Sequence, residues 1–131
     1  MKRIRILVVD DEPSVVDALK VILTDNGYEA AAALRGRDAL ELARRHQFDI
    51  AIVDLKLTDI SGLALLPRIQ EICPDVDGIL ITAYASADVR PDAAASGFAA
   101  VLAKPFSPRD LLDSLSGVLS QRRANSRAGD R

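Results

Sequence analysis

The sequence predicts an α/β domain in which helices cover both faces of a five-stranded parallel sheet. Short β-branched segments recur along the chain, and they are apolar nearly throughout, as in strands that are buried on both sides. Segments with apolar residues at helical spacing lie between them. Strands that alternate with helices imply right-handed crossovers within a parallel sheet.

Five segments are predicted as strands. Residues 4–9, 50–53 and 79–82 are apolar and rich in β-branched side chains, and residues 99–103 show a weaker form of the same pattern. Residues 28–33 are ambiguous, because four consecutive alanines favour a helix whereas the surrounding alternation requires a strand. We take them as the second strand.

The helices are predicted from apolar spacing and from their end signals. Pro13 suits a first helical turn, and Asn26-Gly27 provides a stop for the first helix. Residues 39–46 and 63–73 also follow the helical pattern.

The last two helices are marked by prolines. Pro91 falls where the fourth helix should begin, so this helix is expected to be short or to start late. Ser107, Pro108 and Asp110 resemble an N-cap, a first-turn proline and a capping-box acid, and an apolar stripe follows them.

Composition limits the classes of protein that the chain can belong to. It has 131 residues, 49% of them apolar, with 17 basic and 19 acidic side chains, which fits one domain without a dominant nucleic-acid surface. No apolar run reaches the length of a membrane span, about 20 residues, and the N-terminus lacks the features of a signal peptide. The single cysteine, Cys73, excludes an internal disulfide. We expect a cytoplasmic protein with neither a membrane nor nucleic acid as its direct partner.

The structured domain is expected to cover residues 1–121. Residues 122–131 are polar, rich in arginine and aperiodic, and are expected to form a flexible tail or the start of a linker.

Polar residues follow four of the five predicted strands. In an open parallel sheet the ligand site lies beyond the carboxyl ends of the strands, so these residues should converge on one rim. The set is Asp10 and Asp11 after the first strand, Asp54 after the third, Thr82 at the end of the fourth and Lys104 after the fifth. Glu12 adds to the acidic cluster.

Carboxylates brought together in this way need a cation. Each pair repels by about 4 kcal/mol at 4 Å and an effective dielectric constant near 20. Ligands that are all oxygen, with positions left open for water or phosphate, favour Mg2+ over zinc. One carboxylate could then attack a phosphoryl group, while the metal and Lys104 neutralise charge and Thr82 donates a hydrogen bond.

Four motifs resemble those of the receiver domains of two-component response regulators. They are VVDDE at 8–12, DLKL at 54–57 with Gly62 after it, ITA at 81–83 and KPF at 104–106. Their order and spacing agree with that family over residues 4–120. The resemblance implies a flavodoxin-like (βα)5 three-layer sandwich with strand order 2-1-3-4-5, and it makes residues 1–121 a receiver domain.

The resemblance also implies a role for each site residue. Asp54 would be the phosphoacceptor, modified by a phosphohistidine of a sensor histidine kinase or a phosphotransfer protein. Mg2+ would be held by Asp10, Asp11, Asp54 and the backbone carbonyl of Lys56, with Asp10 acting mainly through water. Lys104 would pair with the phosphoryl oxygens.

Signalling would follow from a movement of Thr82. That movement would shift the surface made by the fourth helix, the fifth strand and the fifth helix. The partner there would be a downstream effector protein or an output domain missing from this chain, and a homodimer is a further expectation. By the same resemblance, the Lys104-Pro105 peptide would be cis.

The sequence departs from the family at Val101, where a tyrosine or phenylalanine is usual, and at Thr58, where a proline is common. Lys56 and Tyr84 would flank the site and control the entry of water, and a bulky Tyr84 predicts slow hydrolysis of the acyl phosphate.

Three other functions are conceivable for a sheet of this kind. A phosphatase of the haloacid dehalogenase group needs a second acid where Lys56 stands, and a flavodoxin-type flavin site needs a Ser/Thr/Gly-rich loop where 10–12 are acidic. A receiver-like scaffold that is never phosphorylated stays open as the alternative. We therefore expect no enzyme with a separate substrate, but a switch that assists its own phosphorylation and dephosphorylation.

Overall fold

A computed structural model describes residues 3–83 and 89–129, with side chains as far as residue 125. Over these residues five strands alternate with five helices. Their bounds are β1 Arg5–Val9, α1 Pro13–Asp25, β2 Glu29–Ala33, α2 Gly36–Arg45, β3 Ile50–Asp54, α3 Gly62–Ile72, β4 Asp77–Thr82, α4 Val89–Ala95, β5 Phe98–Ala103 and α5 Pro108–Gly129.

All neighbouring strands are parallel, in the order β2-β1-β3-β4-β5. The predicted α/β class and strand order are therefore confirmed. The chain moves outward from β1 to β2 and then returns to β3 on the other side of β1. The strand order thus reverses between β1 and β3, and a crevice forms at their carboxyl ends.

The sheet separates two apolar layers, because successive side chains of a strand point to opposite faces. Ile6 and Val8 of β1 pack with α1 and α5, whereas Leu7 and Val9 pack with α2, α3 and α4. The predicted three-layer sandwich is confirmed by this arrangement.

Residues 29–33 form a strand despite their four alanines. Parallel pairing with β1, from Arg5 opposite Glu29 to Val9 opposite Ala33, satisfies their backbone groups. Tertiary pairing therefore overrides the helical preference of alanine.

Helix ends follow the signals in the sequence at several points. Pro13 begins α1, and the described part of α4 spans seven residues, with Pro91 as the third of them. Ser107 and Asp110 form the predicted capping box, in which each backbone amide donates to the other side chain at 3.0 Å. The Lys104-Pro105 peptide is cis, as expected.

Helix α5 is longer than predicted. It continues to Gly129, so the boundary expected at residue 121 falls inside it. Arg122 holds this part of the helix against the amino ends of β3 and β4, where it donates hydrogen bonds to the carbonyls of Asp49 and Asp75 and to the carboxylate of Asp77. No helix among the described residues is both long and apolar enough to cross a bilayer.

Candidate functional site

The side chains that follow the strands meet at the carboxyl rim of the sheet. The backbone ladder continues just past the strand ends, since Leu55 N donates to Ile81 O at 2.9 Å and Lys104 N donates to Thr82 O at 2.8 Å. These bonds hold the ends of β3, β4 and β5 at one level. Asp10, which follows β1, donates its amide to Ala33 O at 3.2 Å.

The Lys104 ammonium lies among three carboxylates. Its Nζ atom is 2.8 Å from Asp10 Oδ2, 3.4 Å from Asp54 Oδ1 and 3.8 Å from Glu12 Oε1. The lysine therefore supplies the cation that the acidic cluster needs. One ammonium does not balance the four carboxylates of Asp10, Asp11, Glu12 and Asp54, so the rim keeps an excess of negative charge.

Asp10 is the deepest member of the site. It has no exposed surface, and its second oxygen, Oδ1, accepts a hydrogen bond from the Glu12 amide at 3.0 Å. This bond turns the chain after β1 so that Asp11 and Glu12 face outward. Asp10 therefore acts from below the surface, where it anchors Lys104.

The electrostatics of the site keep Asp54 protonated up to a higher pH than an ordinary carboxyl group. Burial and then the negative charge of Asp10 raise the pKa of Asp54 to about 6, although Lys104 opposes the shift. Burial lowers the pKa of Lys104, but the hydrogen bond and charge of Asp10, helped by Asp54, outweigh it, so the pKa of Lys104 is raised overall. Lys104 is thus a permanent cation.

A small open cleft of about 260 Å3 lies above Asp54. Asp54 is only 7% exposed and Thr82 only 1%, so both lie at the bottom of the cleft. The polar residues that line it are Asp11, Glu12, Asp54, Lys56, Thr82 and Lys104. Tyr84, expected to control the entry of water, lies outside the described residues.

The loop after β3 folds tightly back under Asp54. Gly62 N donates to Leu55 O at 2.8 Å, and a Cβ atom at Gly62 would overlap the Asp54 carbonyl oxygen. Only glycine allows this close approach. The turn brings Lys56 to the edge of the cleft.

Three carboxylates are close enough to share a metal ion. Asp10, Asp11 and Glu12 each offer an oxygen within 4.8 Å of the others. This all-oxygen donor set fits a hard cation such as Mg2+. Glu12 is not among the ligands predicted from the sequence, although it directly follows the two aspartates, and Asp54 lies outside this group.

The response regulator receiver domain family model matches residues 6–116. The match covers most of the chain, which therefore belongs to the family of response regulator receiver domains. Receiver domains of this family act as phosphoacceptor switches in two-component systems, and they bind Mg2+ at an acidic pocket. Response regulators interact with histidine kinases and with downstream effectors.

Individual relatives agree with this assignment. The chain is 33% identical over 123 residues to the alginate biosynthesis transcriptional regulatory protein AlgB of Pseudomonas syringae pv. tomato, and the match covers 94% of the chain but only 28% of that protein. The chain therefore spans little more than a quarter of the length of this curated relative.

Solved structures share the fold. A CheY-like receiver domain protein from Methanospirillum hungatei has a TM-score of 0.88 and 32% identity, covering 95% of this chain and 99% of that one. A response regulator from Burkholderia pseudomallei, solved with a phosphorylated aspartic acid, a calcium ion and citrate, has a TM-score of 0.81 and 30% identity, covering 98% and 75%.

Proposed function

We propose that Asp54 accepts a phosphoryl group from a phosphohistidine of a sensor histidine kinase or a phosphotransfer protein. The observation that carries this proposal is the setting of Asp54, which lies beneath an open cleft with the Lys104 ammonium 3.4 Å from its Oδ1 atom. Among the described residues that line the cleft, Asp54 is the buried carboxylate, and it lies next to the lysine.

The reaction is a transfer between two nucleophiles. The phosphorus–nitrogen bond of the phosphohistidine breaks, a bond forms between phosphorus and an Asp54 oxygen, and the released imidazole takes up a proton. Lys104 would pair with the phosphoryl oxygens, and Thr82 would donate a hydrogen bond to them. Attack of water on the same phosphorus would later restore the carboxylate, so the domain would assist both steps.

Mg2+ would be held by Asp10, Asp11, Asp54 and the backbone carbonyl of Lys56, with Asp10 acting mainly through water. The complete burial of Asp10 supports an indirect role for it. The bound ion would neutralise charge on the phosphoryl oxygens. The Burkholderia pseudomallei relative, solved with a phosphorylated aspartic acid and a calcium ion, supports both parts of the proposal.

The output would pass through the surface made by α4, β5 and α5. Thr82 ends β4, next to β5, so a shift of its side chain towards a phosphoryl group would be felt by β5. Val101 in β5 is half-buried and already packs against the apolar layer that includes α4. We therefore propose a change of packing at Val101, in place of an aromatic side chain that turns inward.

The partner at this surface would be a downstream effector protein or an output domain that follows the receiver domain at residues 1–121, acting in the cytoplasm. AlgB is a transcriptional regulatory protein, which supports an output of this kind. Formation of a homodimer on phosphorylation belongs to the same proposal.

The experiment is incubation with Mg2+ and acetyl phosphate, followed by intact mass measurement. The wild-type chain should gain one phosphoryl group that is lost on treatment with hydroxylamine, whereas Asp54→Asn should gain none. Asp75→Asn is the matched control, since it removes an exposed acid from the opposite end of the sheet, and it should be modified like the wild type. Folded wild-type protein that stays unmodified would favour the scaffold alternative.

A further inference from the structure

Helix α2 has no cap from its own sequence. Arg35 precedes it, and its side chain makes no capping hydrogen bond. Instead, Gly36 N donates to Asp59 Oδ1 at 2.9 Å, and Arg37 N donates to Asp59 Oδ2 at 3.0 Å. Both oxygens of one carboxylate, supplied by the loop between β3 and α3, thus satisfy two of the free amides at the start of the helix.

The contact between this loop and the helix is close. A Cβ atom at Gly36 would overlap a methyl group of Ile60, so the tip of the loop packs directly on the first residue of α2. The hydrogen bond from Gly36, followed by that from Arg37, holds the pKa of Asp59 below its ordinary value. Asp59 is therefore an anion at neutral pH, as the positive end of a helix dipole favours.

The base of the same loop is attached to the candidate phosphorylation site. Lys56 pairs with Ser61 across the loop, and Gly62 lies against the Asp54 carbonyl. Residues 55–61 contain no proline, so no ring restrains their backbone. Contacts must therefore offset the entropy lost when the loop is ordered. The base provides some of them, and at the tip they come from the hydrogen bonds to Asp59 and the packing of Ile60 on α2.

We propose that Asp59 is a positioning residue for the metal site, because it fastens the loop tip to α2 and so keeps the Lys56 carbonyl ready for Mg2+. This inference rests on the proposed function, in which that carbonyl is a ligand. Coupling between two sites is reciprocal. Mg2+ should therefore strengthen the two hydrogen bonds that the amides of Gly36 and Arg37 donate to Asp59, and it should slow hydrogen exchange at these amides.

The first measurement is the affinity for Mg2+ by isothermal titration calorimetry. Asp59→Ala should bind Mg2+ about tenfold more weakly than the wild type, as is typical when a residue that supports a metal ligand is removed. Asp59→Asn keeps one acceptor oxygen and should lose less. Asp38→Asn removes an exposed acid from the first turn of the same helix and should bind like the wild type.

The second measurement separates positioning from mere stability. In Asp59→Ala the Mg2+ concentration that gives half-maximal phosphorylation should rise by the same factor of about ten, while the rate at saturating Mg2+ stays close to that of the wild type. A purely structural role would lower the melting temperature and leave that concentration unchanged. In wild-type protein, Mg2+ should slow amide exchange at Gly36 and Arg37.

Two results would overturn the inference: unchanged Mg2+ affinity in a folded Asp59→Ala variant, or exchange at Gly36 and Arg37 that ignores Mg2+ in the wild type. The second requires no variant. Normal Mg2+-dependent phosphorylation together with either result rejects this inference alone. Conversely, Mg2+ binding that depends on Asp59, without any phosphorylation at Asp54, rejects the proposed acceptor and leaves the inference in place.

Discussion

At each end of the sheet, which we call the amino rim and the carboxyl rim, acidic residues surround a basic side chain, but the two groups of charges differ in burial. At the amino rim Arg122 bonds to the carbonyls of Asp49 and Asp75 and lies 2.9 Å from Asp77 Oδ2 and 3.4 Å from Asp49 Oδ1. At the carboxyl rim Lys104 faces several acids, and two of these, Asp10 and Asp54, are buried.

The two cations, Arg122 and Lys104, differ in how completely they satisfy the oxygen atoms around them. The planar fork of Arg122 distributes its donors over carbonyl and carboxylate oxygens that are partly solvated, which suits a structural anchor. Lys104 is a point charge among more carboxylates than it can neutralise, and the pKa of Asp54 is raised to about 6 as a result of burial and of Asp10. A buried cluster of acids beside a cleft indicates function, whereas a partly solvated cluster at the surface indicates structural support.

The largest expected effect concerns the two cations. Lys104→Met should slow phosphorylation by acetyl phosphate about a hundredfold, because it removes the group that we propose neutralises the phosphoryl oxygens. Arg122→Met should be phosphorylated at the wild-type rate. Initial rates at saturating Mg2+, followed by mass spectrometry on protein verified as folded, make the comparison. Equal losses of phosphorylation rate in both variants would contradict the proposed difference between a functional Lys104 and a structural Arg122.

The next effect is the stability of metal-free protein as a function of pH. The pKa of Asp54 is raised in the folded state, so folding favours its protonated form, and the free energy of unfolding should fall as pH rises from 3.8 to about 6 and stay low above that. The free energy of unfolding of Asp54→Asn should not fall in this way. At neutral pH it should exceed that of the wild type by about 2 kcal/mol. Urea denaturation at several pH values measures the difference.

Asp75→Asn serves as the control for that experiment. Its acid lies at the amino rim and is exposed, so its pH dependence should follow that of the wild type. Identical pH profiles for the wild type and Asp54→Asn would contradict the unbalanced electrostatics described for the carboxyl rim.

Arg122→Met should lower the free energy of unfolding by about 2 kcal/mol, because it removes hydrogen bonds to charged and backbone oxygens of a partly buried group. Arg123→Met changes an exposed arginine one position along the helix and should have little effect. Urea denaturation with Mg2+ present compares the two. A loss that is equal in both variants would show that Arg122 is not an anchor.

The smallest effect belongs to the exposed pair at the amino rim. Arg5 Nε and Glu29 Oε2 are 2.8 Å apart, and both side chains are 47% exposed. Glu29→Gln should therefore lower the free energy of unfolding by only about 0.3 kcal/mol, and less at high salt. A loss of unfolding free energy as large as that of Arg122→Met would mean that the greater exposure of the Arg5–Glu29 pair does not weaken it.

Much of the architecture was already readable in local patterns. Apolar periodicity located the strands and helices, Ser107 and Asp110 marked the start of α5, and the polar residues after the strands identified the rim that carries the site. Periodicity and capping involve residues that are close together along the chain, so the sequence alone is enough to reveal them.

Four features were decided only when the chain folded. Alanines 30–33 became a strand because β1 was available to pair with them, and Arg122 of α5 found its partners at the amino ends of β3 and β4. The cap of α2 comes from Asp59, which lies 23 residues beyond Gly36, so no local sequence motif predicts it. Distances between charges, and with them the pKa of Asp54, exist only once burial and long-range contacts have been established.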